Sequence, residues 1–178
     1  AVAVKSLRPD VRVVGVQSAA MDGIRRSFAA GRVVTTPPAR TIADGVAVAG
    51  PSERTFALIQ RYVDEVIAVP DDAIAHAIVL LIERAKLVVE GAGALAVAAV
   101  QSGLYRPRGK AVAVLSGGNI DINLLGSIVR RGLVDDFAAC FRVAPGFVEI
   151  SLRGYGAESF IPHPDGDSGR TQFFRKSL

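Results

Sequence analysis

Apolar residues along this chain fall into two patterns, short continuous runs and longer stretches at helical spacing. The runs predict buried strands at residues 11–16, 66–69 and 111–115. The helical spacing predicts helices at residues 2–7, 21–30, 52–62, about 72–86, 92–102 and 122–131. Strands that alternate with helices predict a three-layer α/β domain with a mainly parallel sheet and right-handed crossovers.

Capping residues mark the ends of several of these elements. Ser52 is the predicted N-cap of the helix that follows it, and Asp71 or Asp72 is the predicted cap of the next helix. Gly31 stands directly after a helical stretch, where glycine commonly ends a helix. Residues 35–51 form a long connection without a regular pattern.

The pattern changes after Gly132. Residues 138–153 are interpreted as two short strands around Pro145-Gly146. From Gly154 onward Gly, Pro, Asp and Ser dominate, which predicts poor order. We therefore expect one α/β domain over residues 1–134 and a separate tail over residues 135–178.

Composition and charge limit the class of protein. Half of the 178 residues are hydrophobic, enough for one domain with a sizeable core. The net charge is +4, but the basic residues are scattered without interleaved aromatic residues, so no nucleic-acid surface is expected. No apolar run reaches the ~18–20 residues of a membrane span, so no membrane partner is expected. The single cysteine, Cys140, is interpreted as structural and fits a cytoplasmic location.

The most informative segment is the strand over residues 111–115 and the turn that follows it. Ser116, Gly117, Gly118 and Asn119 supply one hydroxyl, one amide and backbone N–H groups that no side chain covers. In open α/β sheets, ligands bind at such carboxyl ends of strands. The alternative is an ordinary connection between a strand and a helix, with Asn119 or Asp121 as N-cap.

Three further clusters lie near predicted loops. Residues 14–18 end the first strand, residues 41–45 contain Asp44-Gly45, and residues 90–94 begin with Glu90. Each also has a purely structural interpretation. Asp44-Gly45 is a common turn, Glu90 could be a helix N-cap, and the glycines after Glu90 could serve close helix packing alone.

The order and spacing of these four clusters resemble the second half of the threonine ammonia-lyase (threonine dehydratase) family over residues 1–134. The stretch from Lys86 to Gly93 is itself distinctive. The resemblance implies the tryptophan-synthase-β-like fold of type II pyridoxal-phosphate enzymes. It also implies a small amino-acid substrate and a homo-oligomer. The implied reaction is elimination of water from L-threonine, and also L-serine, giving a 2-oxo acid and ammonia. A role in isoleucine biosynthesis or in threonine catabolism stays open.

The resemblance also assigns roles to individual residues. Ser116 matches the serine whose hydroxyl bonds the pyridine nitrogen of pyridoxal phosphate, and Glu90 matches a carboxylate near the ring. Gly45 matches a loop glycine whose backbone lies against the cofactor. Three residues shape the turn behind the ring, namely Gly117, Gly118 and Asn119. A neutral serine does not force a proton onto the pyridine nitrogen, which makes the ring a milder electron sink.

Some family features are not found in these 178 residues. None of the four lysines, Lys5, Lys86, Lys110 and Lys176, lies in the Ser-x-Lys motif that carries the Schiff-base lysine, and no glycine-rich phosphate loop is present. We therefore assign no catalytic residue, and expect the chain to correspond to an enzyme that begins about halfway through. The alternative is a non-catalytic small-molecule binding or regulatory module.

Two further features limit what the resemblance implies. Relatives place acidic residues where this chain has Gln17 and Gly23, so no divalent metal is expected. Residues 142–146 faintly resemble the first strand of a regulatory domain, but the residues that follow do not continue the pattern. The tail is therefore interpreted as a degenerate or truncated remnant of such a domain.

Overall fold

The computed structural model describes residues 1–134, 148–152 and 158–160. The helices are α1 (Val2–Leu7), α2 (Gly23–Ala30), α3 (Glu53–Tyr62), α4 (Asp71–Leu80), α5 (Gly91–Gln101) and α6 (Ile122–Val134). The strands are β1 (Val14–Ser18), β2 (Glu65–Val69), β3 (Ala111–Leu115), β4 (Val148–Leu152) and β5 (Glu158–Phe160). Within these ranges no helix is both long enough and apolar enough to span a bilayer.

The chain divides into two compact units, of which the first is Ala1–Asp71. In this unit β1 and β2 pair in parallel, with Val14 opposite Glu65 and Ser18 opposite Val69. Helices α2 and α3 lie between these strands in sequence, as a parallel crossover requires. The buried apolar side chains include Met21, Phe56 and Val69.

Local signals set the helix ends in this unit as the sequence predicts. The Ser52 hydroxyl accepts a hydrogen bond from the Thr55 N–H, which satisfies a free donor in the first turn of α3. Gly31 ends α2 in the left-handed conformation, with φ of 68°. That conformation costs glycine little because it has no Cβ.

The second unit is Asp72–Leu178. Strand β4 pairs in parallel with β3 and antiparallel with β5. Helix α5 packs against β3, and seven of its eleven residues are buried, including Gly93, Ala94 and Ala98. The remaining buried apolar side chains of this unit come mainly from α4 and β3.

The structure differs from the sequence predictions in four places. Strand β1 begins at Val14 rather than at residue 11, and the predicted helix to residue 86 changes to a π-helical turn at Leu81–Ala85. The parallel pairs form two separate sheets rather than one. Strand β5 lies where poor order was expected, whereas β4 lies within the segment predicted to form two short strands. The predictions for the rest of the tail, including Cys140, fall outside the described residues.

Candidate functional site

The turn after β3 is exposed and tightly folded. Burial alternates along the strand, and Leu115, its last residue, is 2% exposed. The next four residues, Ser116 to Asn119, are exposed. The Ile120 N–H donates to the Gly118 carbonyl at 3.0 Å, which closes the turn. The structure therefore presents the Ser116 hydroxyl at the carboxyl end of a strand, as the sequence predicts.

Glu90 lies directly against this turn. Its backbone N–H donates to the Gly117 carbonyl at 3.4 Å. A Cβ built on Gly117 would overlap the Glu90 carboxylate, and Gly117 also has φ of +76°. The positive φ favours glycine at this position, and a larger residue would also displace the Glu90 carboxylate. The structure thus brings Glu90 to the Ser116–Gly118 turn, although 26 positions separate Glu90 and Ser116 in sequence.

Helix α5 begins beside the same turn. A Cβ on Gly93 would overlap the backbone carbonyl oxygen of Ser116 and would lie 2.7 Å from Cγ1 of Val89. Gly93 therefore serves close packing, one of the two roles considered for it. Glu90 occupies the N-cap position of α5, but its side chain makes no capping hydrogen bond. Its carboxylate is directed to the turn instead, so the capping interpretation of Glu90 is not supported.

Asp121 starts the next helix. Its carboxylate Oδ1 accepts a hydrogen bond from the Leu124 N–H at 2.9 Å, in the pattern of an N-cap. The connection from β3 to α6 is therefore an ordinary capped junction at Asp121. Asn119 and the two glycines stand before this cap, in the exposed part of the turn.

Gly45 belongs to the first unit. It lies in a single 3-10 turn, Asp44–Val46, and is exposed. Its N–H donates to the Asp44 carboxylate at 2.8 Å, as in the common turn considered from the sequence. The segment from Thr41 to Val46, which we name the glycine loop, presents exposed backbone at Gly45.

A polar network that sequence reasoning missed holds this glycine loop. The Asp71 carboxylate accepts hydrogen bonds from the Thr41 hydroxyl at 2.6 Å and from the Ile42 N–H at 2.9 Å. The hydroxyl of Ser18, which is fully buried, lies 3.1 Å from the same carboxylate. No local motif joins positions 18, 41 and 71, so the sequence held no signal for this contact. Asp71 was predicted only as a helix cap.

The region after β1 is also polar and buried. The Gln17 side-chain oxygen accepts from the Arg25 N–H at 3.0 Å, and its amide nitrogen is buried without a partner in the described residues. Burial alone would raise the pKa of Asp22, but hydrogen bonds from Arg25 and Arg26 outweigh it and hold that pKa below its ordinary value. In the described ranges no group of three or more His, Cys, Asp or Glu side chains could hold a metal ion.

Two lysines of the described residues have close partners. The Lys5 ammonium lies 2.7 Å from the Asp64 carboxylate, and its side chain is only 16% exposed. The Lys86 ammonium donates to the Glu83 carbonyl at 2.7 Å. Lys5 is thus a largely buried partner in an ion pair.

Known proteins share extended sequence similarity with this chain. A model of the family described as "Pyridoxal-phosphate dependent enzyme" matches residues 1–117. An L-threonine ammonia-lyase from Thermotoga maritima is 47% identical over 133 residues, which are 75% of this chain and 33% of that protein. The chain therefore spans about a third of the length of this relative.

Solved structures extend the comparison to the fold. A threonine deaminase from T.th. matches with a TM-score of 0.63 and 43% identity, covering 67% of this chain and 44% of that chain. Maize serine racemase matches with a TM-score of 0.62 and 30% identity, covering 75% of this chain and 42% of that chain. These matches confirm the tryptophan-synthase-β-like α/β fold that the sequence resemblance implies.

Proposed function

Because this chain belongs to the family of pyridoxal-phosphate dependent enzymes, we propose that it forms part of a threonine ammonia-lyase. The proposed reaction converts L-threonine, and also L-serine, to a 2-oxo acid and ammonia. The observation that carries the proposal is the exposed Ser116–Gly118 turn with the Glu90 carboxylate packed against it. The names of two similar proteins, an L-threonine ammonia-lyase and a threonine deaminase, support the choice of threonine. The maize serine racemase supports serine as a second substrate.

The residues present fit a flat, polar ring such as that of pyridoxal phosphate. Ser116 offers an exposed hydroxyl, and the two glycines that follow it leave the turn backbone uncovered. The Glu90 carboxylate lies against Gly117, so the carboxylate and the turn present their polar groups side by side. This arrangement has the polar group types that orient a cofactor in a site.

The proposed roles of the side chains follow from their chemistry. Bound pyridoxal phosphate supplies the electron sink for elimination at the amino acid's β-carbon. We assign the Ser116 hydroxyl to the pyridine nitrogen, where it is a neutral partner, and the Glu90 carboxylate to a position near the ring. Gly117, Gly118 and Asn119 shape the turn behind the ring. Gly45 is assigned to cofactor contact through its exposed backbone, and this role rests on the resemblance alone.

The same proposal extends to organisation. Residues 1–134 belong to the catalytic domain, and residues 135–178 are a remnant of a regulatory domain. The family match over residues 1–117 supports the first part of this division. We further propose that the complete enzyme is a cytoplasmic homo-oligomer.

The test measures release of 2-oxobutanoate from L-threonine and pyruvate from L-serine by the full-length protein that carries these residues. Ser116→Ala should lower kcat at least ~10-fold, as loss of a hydrogen bond that acts mainly in the transition state would. The melting temperature should change little because Ser116 is exposed. Ser127→Ala, which removes an exposed helix hydroxyl, is the matched control.

Each outcome of this test has a distinct meaning. A polypeptide limited to the 178 residues is the negative control, since none of its lysines lies in a Ser-x-Lys motif. Failure of the full-length protein to release either product would overturn the proposed function. An unchanged kcat in the Ser116→Ala protein would remove only the role of Ser116 at the ring nitrogen.

A further inference from the structure

We propose that Asp71 is a positioning residue that fixes the backbone of the glycine loop for cofactor binding. The proposal rests on the proposed function, because it assumes that Gly45 contacts pyridoxal phosphate. It assigns a role to three side chains, Ser18, Thr41 and Asp71, that no sequence motif joins.

The Asp71 carboxylate is bonded to the glycine loop through both of its oxygens. Oδ1 of Asp71 accepts from the Thr41 hydroxyl at 2.6 Å, while Oδ2 accepts from the Ile42 N–H at 2.9 Å. The two oxygens therefore hold two successive residues of the loop at once. A carboxylate suits this task because it accepts at both oxygens and donates at neither.

The hydrogen-bond network continues along the loop as far as Ala43. The Thr41 hydroxyl oxygen accepts from the Ala43 N–H at 3.1 Å. Ala43 is fully buried, and the exposed turn with Gly45 begins at the next residue. The network thus fixes the backbone up to the residue before Asp44, which sets the direction in which the Asp44–Val46 turn starts.

The Asp71 carboxylate also contacts the end of β1. The Ser18 hydroxyl lies 3.1 Å from Oδ1 of Asp71 and 2.9 Å from the Thr41 hydroxyl. Ser18 is the last residue of β1 and is fully buried. The glycine loop is therefore tied to the end of a strand and to the first residue of α4. Hydrogen bonds to a charged acceptor are stronger than those between neutral groups, so the carboxylate holds the loop backbone strongly.

The test removes the carboxylate in the full-length protein and compares it with a neighbour. Asp71→Ala should raise the dissociation constant of pyridoxal phosphate about 10-fold, the equivalent of one lost hydrogen bond to a charged group. In the protein without cofactor, hydrogen exchange at the Ile42 and Ala43 amides should quicken by a similar factor. Asp72→Ala removes the exposed carboxylate at the next position and should change neither quantity.

A second pair of variants keeps the test valid if Asp71→Ala folds poorly. Thr41→Val removes the hydroxyl but keeps the side-chain shape, so it should weaken cofactor binding and free the Ala43 amide. Thr41→Ser retains the hydroxyl and should rescue both measurements. If the Thr41 hydroxyl served stability alone, Thr41→Val would lower the melting temperature, and Thr41→Ser would not restore cofactor affinity.

The outcomes separate this inference from the proposed function. If the unmodified protein does not bind pyridoxal phosphate, the proposed function fails, and the inference fails with it. If the unmodified protein binds the cofactor and the Asp71→Ala and Thr41→Val proteins bind it equally well, only the inference is overturned. Weaker binding with unchanged amide exchange would also overturn it, because the loop backbone would then not be the intermediary.

Discussion

The close approach of α5 to the Ser116 turn makes a quantitative prediction for Gly93→Ala. The added methyl group would overlap the backbone carbonyl oxygen of Ser116 and press on Val89. A backbone carbonyl cannot rotate away as the end of a flexible side chain can. The helix and the turn must therefore move apart to accept the methyl group.

Two opposing effects set the size of the change. Replacing glycine by alanine in a helix stabilises it by about 0.5–1 kcal/mol. Forcing an extra methyl group into a packed region costs about 1–3 kcal/mol. The overlap at Gly93 is with main chain, so the upper part of that range applies. We expect Gly93→Ala to lower the free energy of unfolding by about 1–2 kcal/mol.

Gly126→Ala is the matched control. Gly126 lies inside α6, and a Cβ built there meets no atom within 4 Å. Only the propensity effect remains, so this variant should raise the free energy of unfolding by about 0.5–1 kcal/mol. Urea unfolding of both variants and of the unmodified protein measures the two differences. The dissociation constant of pyridoxal phosphate should rise for Gly93→Ala and stay constant for Gly126→Ala.

The sign of the change in the free energy of unfolding shows whether α5 packs tightly against the Ser116 carbonyl. If Gly93→Ala stabilises the protein as Gly126→Ala does, α5 does not press on the Ser116 carbonyl. The contact between Glu90 and the turn would not be affected, because it rests on the separate approach of Glu90 to Gly117. If Gly93→Ala is destabilised but binds the cofactor with unchanged affinity, the close packing of α5 is supported. That result would also show that the packing does not affect the proposed cofactor site.

The remaining predictions concern an ion-paired carboxylate and a helix end. Asp22 is buried and has a lowered pKa, so it contributes stability above its ordinary pKa of 3.8 and loses it as pH falls through the lower folded-state value. Asp22→Asn should therefore flatten the pH dependence of the melting temperature below about pH 4. Asp10→Asn removes one partner of the exposed ion pair between Arg8 and Asp10, and should change that pH dependence less. Gly31→Ala should lower the free energy of unfolding by about 1 kcal/mol because φ at Gly31 is 68°. Gly31→Asn should lower it less, and equal urea midpoints for both variants and the unmodified protein would contradict this prediction.

Local chemistry explains which elements could be predicted from the sequence. The Ser52 cap and the glycine after α2 act within one or two turns of their own helix, so the sequence shows them directly. Strand β1 was predicted three residues early because its limits depend on a partner. Val13 N–H donates to the Asp64 carboxylate at 2.7 Å, and the regular ladder with β2 begins only at the next residue.

The residues of the candidate site also differ in whether neighbouring sequence or a distant partner determines their placement. Ser116 and the glycines after it could be predicted because a strand and a glycine turn are adjacent in sequence. The direction of the Glu90 carboxylate could not, since the same residue at a helix start equally favours capping. Asp71 was missed as a loop anchor because its three partners come from positions 18, 41 and 42.

The π-helical turn at Leu81–Ala85 marks a place where one residue can be removed with little effect on the chain that follows. A π-helical turn contains one residue more than an α-helical turn, and Lys86 ends it in the left-handed conformation with φ of 58°. Because the extra residue is accommodated within that turn, deleting one residue here would let α4 continue as a regular helix and would leave the orientation of the chain after it nearly unchanged. A one-residue deletion inside α5 has no such turn to accommodate it and would rotate the rest of that helix by about 100°. One-residue deletions should therefore be tolerated better at Leu81–Ala85 than within α5.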